Sequence, residues 1–264
     1  MKVLISGCSF SVTNYYESGL DEEKMWVWHP FNERKIINLL IPESYDFETE
    51  VFIDNKAWSG AGNKYIADSI ILSCAEYNPD LIMVMWSGPE RLDFPIRKEF
   101  YADSSLITYS RSDNIRYMIS GGPHSSLYSN IDLLAENLFK NLYIHTSPLE
   151  LNIMTLLEIV KLQNFLVNLK IPFYFMSFCN FWNIDNLPNS TFSMVGYKDH
   201  SQIQKLTAMI DFDRWIFENE NKDGYYEVAK KMNCFKPDKF HPGFEASRIW
   251  GQIVKDRLIK DKIL

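Results

Sequence analysis

Met1-Lys2-Val3-Leu4-Ile5-Ser6-Gly7-Cys8-Ser9-Phe10-Ser11 opens the chain, and the reading of this stretch decides the fold. Val3 to Ile5 is a short, apolar, mostly β-branched run, which suits a buried strand better than a helix. It breaks at Gly7, and glycine at a strand end permits the sharp turn that lifts the next side chains out of the sheet edge. In an open α/β sheet, ligands and chemistry sit outside the carboxyl ends of the strands. Ser9 stands there, two residues after the glycine, as a candidate nucleophile. A strand followed by a Ser-rich turn is the plainer reading, and these residues alone favour it.

The far end of the chain shifts that balance. Pro237-Asp238-Lys239-Phe240-His241-Pro242-Gly243 places an aspartate three residues before a histidine. A serine hydroxyl is a weak nucleophile until an imidazole can take its proton. The imidazole in turn needs a carboxylate to fix its tautomer and orientation. One short loop can present both Asp238 and His241. The alternative is an aspartate capping a turn with an exposed histidine beside it.

Gly7-Cys8-Ser9-Phe10-Ser11 resembles the first sequence block of the SGNH (GDSL-type) hydrolases, with Cys8 where that family usually has Asp. Asp238-x-x-His241 resembles the last block, which carries acid and base. Asn55-Lys56-Ala57-Trp58-Ser59-Gly60 resembles the second, whose glycine donates a backbone N–H to the oxyanion hole. The resemblance implies a flavodoxin-like, three-layer α/β/α sandwich with a mainly parallel sheet of about five strands. It also implies ester hydrolysis through an acyl-enzyme: Ser9 as nucleophile, His241 as base, Asp238 as its orienter. The backbone amides of Ser9 and Gly60 then hold the oxyanion, and no metal or organic cofactor is involved. An ester of a small molecule or a carbohydrate, such as an O-acetylated sugar, is the expected substrate.

The third block departs from the family. An oxyanion-binding asparagine is expected after the third strand, but the chain reads Met85-Trp86-Ser87-Gly88-Pro89-Glu90-Arg91. Proline has no N–H, and a carboxylate repels an oxyanion; losing one such donor typically costs roughly 10²–10³ in turnover. Asn63 is the reserve donor, with the Arg91 guanidinium as the other substitute. Similar Trp-x-Gly-x-x-Arg variants of this fold occur in bacterial and bacteriophage proteins. The departure leaves two rivals open: a non-catalytic binding or structural module, and an acyltransferase that uses the same triad but excludes water. Cys8 as nucleophile is a lesser variant, since neighbours in an extended segment face opposite ways.

At 264 residues the chain suits one large α/β domain, residues 1–264, with a lid-like excursion at about 94–146. Its 46% hydrophobic content supplies a core, and aromatics at 15% leave a surplus for a sugar cleft or an interface, though most should pack. A net charge of −7 argues against nucleic-acid binding, which depends on a basic surface. Cys8, Cys74, Cys179 and Cys234 show no metal-ligand or CxxC spacing, so reduced thiols are expected. No leader and no run of about 20 apolar residues is visible. The expected location is therefore cytoplasmic, or virion-associated in a phage setting.

Along the chain, a helix is predicted over Phe31–Leu40 and a second strand over Glu50–Asn55. His29, before Pro30, reads as a surface or packing histidine. Apolar spacing at Ile66, Ile70, Ile71 and Cys74 predicts a helix over Ala61–Ala75. Its Gly60-Ala61-Gly62 start favours an oxyanion donor over a phosphate cradle, since no phosphate-loop pattern is present. Pro79–Trp86, a nearly unbroken apolar run, predicts a strand buried on both faces. The excursion is expected to be irregular helix over the catalytic edge. Ser147-Pro148-Leu149-Glu150 is a helix start, and a helix to Asn168 follows from Leu149, Ile153, Leu156, Leu157 and Val160. A strand over Ile171–Phe178, a helical segment within Gln202–Phe217, and helices over Tyr225–Met232 and Phe244–Leu258 complete the pattern. Asp211, Asp213 and Glu218 lack a companion histidine and read as a solvated face rather than a metal site.

Overall fold

The computed structural model describes residues 1–8, 52–58, 60–96, 108–112, 115–119, 133–182, 197–235 and 241–264. Its strands are β1 (Lys2–Ser6), β2 (Phe52–Asn55), β3 (Leu81–Trp86), β4 (Asp93–Ile96), β5 (Thr108–Ser112), β6 (Ile115–Ile119) and β7 (Phe173–Ser177). Its helices are α1 (Asn63–Glu76), α2 (Leu133–His145), α3 (Pro148–Leu169), α4 (Ser201–Ala208), α5 (Tyr225–Lys231) and α6 (Phe244–Lys260). The helix predicted over Phe31–Leu40, and His29, lie outside the described residues.

The opening run is the strand its composition predicts. β1 sits inside a parallel sheet of order β2-β1-β3-β7. All six residues of β3 are buried, which is why it reads as an unbroken apolar run. Register pairs Leu4 with Ile82 and Ile82 with Phe173, so these three share one face. Ser6 and Val84 lie on the same face, and the Ser6 hydroxyl meets that of Ser69 at 2.7 Å, so α1 covers it. Tyr174 points to the opposite face, where its hydroxyl donates to Asp261, just past the end of α6, at 2.7 Å. Helices therefore cover both faces, giving an α/β/α sandwich.

Beside β7, at the end of this sheet, the described residues hold a single parallel bridge between Phe175 and Trp215. The Ile216 N–H donates to the Phe175 carbonyl at 2.9 Å. Trp215, wholly buried, packs edge-on to Phe175 at 5.6 Å, so its side chain closes the sheet edge. The helical segment expected within Gln202–Phe217 is α4, which ends at Ala208. After α4 the Gln163 amide grips the chain, donating to the Met209 carbonyl at 2.9 Å and accepting from the Asp211 N–H at 2.8 Å. The chain then enters a short 3-10 turn, Phe212–Arg214.

The stretch expected to be irregular helix is different as well. β4, β5 and β6 form an antiparallel sheet of order β4-β6-β5, and only later comes a helix, α2. Tyr117 of β6 joins this sheet to the main domain, donating to Asp68 on α1 at 2.7 Å and packing edge-on to Tyr65 at 5.4 Å.

Candidate active site

The carboxyl ends of β1, β2 and β3 meet the start of α1. Asn55 ends β2 and folds its side chain back to accept from the Ala57 N–H at 2.8 Å, which turns the chain. Lys56 N–H then donates to the Ile5 carbonyl at 2.8 Å and Trp58 N–H to the Gly7 carbonyl at 2.9 Å. These bonds lace the loop after β2 to the turn after β1. Gly60 follows with φ 81°, a left-handed conformation that disfavours any side chain. It is buried, and its N–H donates to no oxygen among the described residues.

Cys8 is wholly buried, turned into the core. Ser9, next in the chain, and Asp238 lie outside the described residues. His241 is half-buried. Its neighbour Pro242 bridges Phe235, and the Gly243 N–H donates to the Cys234 carbonyl at 2.9 Å. Gly243 caps α6, whose far end meets Tyr174 near the start of β7. Its first turn meets Tyr225 instead: Ser247 hydrogen-bonds the Tyr225 hydroxyl, and Trp250 stacks on the ring at 5.8 Å. Tyr225 stands beyond the end of β7, because a Cβ on Gly224 would lie 2.5 Å from the Ser177 carbonyl and the Tyr226 N–H donates to the Phe178 carbonyl. α6 thus runs antiparallel to β7, and His241 reaches the carboxyl edge of the sheet, the edge where Gly7 and Cys8 leave β1.

Asn63 has another duty. Its Nδ2 donates to the Ser87 carbonyl and to the Thr155 hydroxyl, each at 3.0 Å, and its Oδ1 accepts from the Ser87 N–H at 2.8 Å. A carboxamide has two N–H donors, and here both are engaged. In this arrangement Asn63 braces α1, β3 and α3 and has no hydrogen left for an oxyanion.

The turn after β3 carries the charged groups. The Arg91 N–H closes it onto the Gly88 carbonyl at 3.3 Å. Glu90 folds its carboxyl over Gly88, so closely that a Cβ there would lie 2.3 Å from Oε2. Burial pushes Glu90 up to about 7, against the pull of Arg91. Asp93, at the start of β4, accepts from the Tyr65 N–H at 3.1 Å and from the Gly62 N–H, and so caps α1 from across the fold. Burial nonetheless pushes Asp93 up to about 7. Arg91 places Nη1 3.5 Å from the Ala61 carbonyl and its guanidinium carbon 5.9 Å from the centre of the Phe178 ring. Glu90 Oε2, Asp93 Oδ1 and Arg91 Nε are buried without a hydrogen-bond partner among the described residues. The Cys179 thiol is held well above its ordinary range by burial first, then by Glu227, Glu90 and Cys8 nearby. Beside Arg91 opens a cleft of about 110 Å³, with Pro89 and Asp93 on one wall and Leu151, Met154 and Leu157 of α3 on the other.

Glu90 and Asp93 had no motif to mark them in the sequence. Their burial, which gives them their chemistry, is a tertiary property. Asp211 and Glu218 are engaged structurally: Asp211 accepts from the Asp213 N–H at 3.1 Å, and Glu218 pairs with Lys231 at 2.6 Å. Among the described residues no helix is long and apolar enough to cross a membrane.

No family model matches the sequence, and no curated protein does. Among solved structures the chain is similar, at 13% identity, to a psychrotrophic esterase, EstA, from Pseudoalteromonas sp., with 100% of this chain and 99% of that one covered at a TM-score of 0.46. It is similar to TesA at 13% identity, with 98% of each chain covered and a TM-score of 0.47. A catalytic mutant of Axe2, an acetylxylan esterase from Geobacillus stearothermophilus, also resembles it at 13% identity, with 97% and 93% covered and a TM-score of 0.49. At such identities and scores the likeness assigns no activity.

Proposed function

We propose that this protein is a serine esterase of the SGNH type. The observation that carries the reading is the hydrogen bond from Trp58 N–H to the Gly7 carbonyl. It brings the buried backbone N–H of Gly60, which has no acceptor among the described residues, to the end of β1, on the edge His241 reaches. Ser9 then adds through its hydroxyl oxygen to the ester carbonyl carbon as its proton passes to His241. Asp238 orients the imidazole and stabilises its charged form. The carbonyl oxygen takes the negative charge and is held by the N–H groups of Gly60 and Ser9. Collapse expels the alcohol, which leaves with the proton from His241; water then repeats the sequence on the acyl-enzyme and releases the acid. The small cleft beside Arg91 favours a short acyl group, and O-acetylated carbohydrate is the substrate to test first.

A specific observation also favours a non-catalytic module: Asn63 is engaged, and Pro89-Glu90 stands where the family has its donor. Release of p-nitrophenol from p-nitrophenyl acetate separates the two readings. Turnover in the wild type that is lost in folded Ser9→Ala and His241→Ala supports the esterase. Turnover unchanged in Ser9→Ala removes the mechanism, and a wild type inert towards acetyl esters favours the binding module.

A further inference from the structure

We infer that the Arg91 guanidinium is the side-chain donor to the oxyanion, in the role that the SGNH resemblance gives to an asparagine amide. This rests on the esterase reading above.

When Ser9 adds to the carbonyl carbon, the carbonyl π pair moves onto oxygen, and that oxygen needs donors already in place. The backbone offers Gly60 and Ser9. Asn63 is excluded because both its amide hydrogens are engaged, and Pro89 has no N–H. Arg91 leaves the end of β3 and lies across the carboxyl edge. On one side it meets the carbonyl of Ala61, the residue after Gly60, and on the other it overlies Phe178, just beyond β7. Its position therefore spans from the Gly60 turn to the strand end from which the histidine-bearing segment hangs.

The guanidinium also has donors free to act. Of its five N–H bonds, the contact to Ala61 is long, and Nε is buried with no partner among the described residues. Burying such a donor without an acceptor is unfavourable, so the fold holds this guanidinium incompletely satisfied. Two carboxyls lie within two residues of it, and both are turned elsewhere. Asp93 Oδ2 faces the N–H groups of Gly62 and Tyr65, and Glu90 is folded over Gly88. Burial raises both carboxyls to about 7, which weakens the negative charge they set against Arg91 at and below neutral pH.

The test is steady-state hydrolysis of p-nitrophenyl acetate by wild type, Arg91→Lys and Arg91→Ala, paired with the rate of Ser9 labelling by a fluorophosphonate. We expect Arg91→Ala to lower kcat by about 10²–10³ with KM little changed, and to slow labelling in parallel. Arg91→Lys should fall between, and millimolar guanidinium chloride should restore part of the lost kcat in Arg91→Ala. A purely structural arginine would not give that rescue. An Arg91→Ala enzyme with wild-type kcat and labelling overturns the inference and leaves the esterase reading standing, as does a loss confined to KM or to Tm with no guanidinium rescue. A wild type that neither hydrolyses the ester nor labels at Ser9 overturns the esterase reading and this inference with it.

Discussion

Asn63 and Ser87 exchange a pair of hydrogen bonds, the Ser87 N–H donating to Oδ1 at 2.8 Å and Nδ2 donating to the Ser87 carbonyl at 3.0 Å. The carboxamide thus behaves as one more rung on the end of β3, contributed by the first residue of α1. Its second N–H goes to Thr155 on α3. The geometry of the Arg91 turn, which begins at the next residue, depends on this brace.

Asn63→Ala leaves a buried N–H, a buried carbonyl and a buried hydroxyl without their partner. Each unsatisfied group costs about 1–3 kcal/mol, so thermal unfolding should show a drop in Tm of many degrees. Activity per folded molecule should fall less than in Arg91→Ala. Asn63→Asp keeps the acceptor for Ser87 N–H but points an oxygen at the Ser87 carbonyl, so it should be no more stable than Asn63→Ala. An Asn63→Ala protein with wild-type Tm and strongly reduced kcat would contradict the bracing role and return Asn63 to the oxyanion.

Gly62→Ala strikes the same region from the other side. A Cβ there would lie 2.6 Å from the Arg91 carbonyl oxygen and 2.7 Å from Asp93 Oδ2. The first obstacle is main chain and the second is the cap of α1, so neither yields cheaply. Overpacking of this kind costs about 1–3 kcal/mol. The Arg91 turn should shift with it, so Tm and kcat should fall together. Loss of only one of the two would show that the cap and the turn are not coupled.

The parts of this arrangement legible in the sequence are those written in local pattern. β1, β3 and β7 are apolar runs because a parallel strand is buried on both faces, and α1, α3 and α6 carry apolar residues at helical spacing. The Ser147 start is real: Ser147 Oγ accepts from the Glu150 N–H, and Glu150 returns a bond to the Ser147 N–H. The antiparallel sheet was missed because Pro95 breaks the strand signal of β4 and because polar β5 has no alternation to read. Ile115, Tyr117 and Ile119 do alternate, which is a strand signal in β6. The break after α4 has no local signal at all, since its cause is the Gln163 amide on another helix. For the site, the motif resemblance singled out Gly60 and His241 as candidates. The engagement of Asn63 has no local signal, because its partners, Ser87 and Thr155, are brought to it only by the fold.

Glu90 and Asp93 make stability depend on pH in a direction opposite to that of most carboxylates. Burial raises Glu90 from an ordinary 4.5, and Asp93 from an ordinary 3.8, to about 7 in the folded state. Arg91 lies beside both, Lys64 and the amides of Gly62 and Tyr65 beside Asp93, and the Cys179 thiol near Glu90; the cations and amides favour ionisation without overcoming burial. Between the two values the unfolded chain has released these protons while the folded chain keeps them, so stability falls as pH rises through that window. Above about pH 7 both states are ionised and the loss is complete. The lowered carboxyls, Asp68, Glu150, Asp223 and Asp261, act in the opposite sense, but their windows lie below about pH 4.5, so they do not mask the effect above pH 5. Tm should therefore be higher at pH 5 than at pH 8. Glu90→Gln should flatten its share of that slope, because a neutral amide replaces the acid at similar volume. The decisive quantity is the difference in slope between wild type and Glu90→Gln. Equal slopes would mean that Glu90 is ionised, and solvated, throughout.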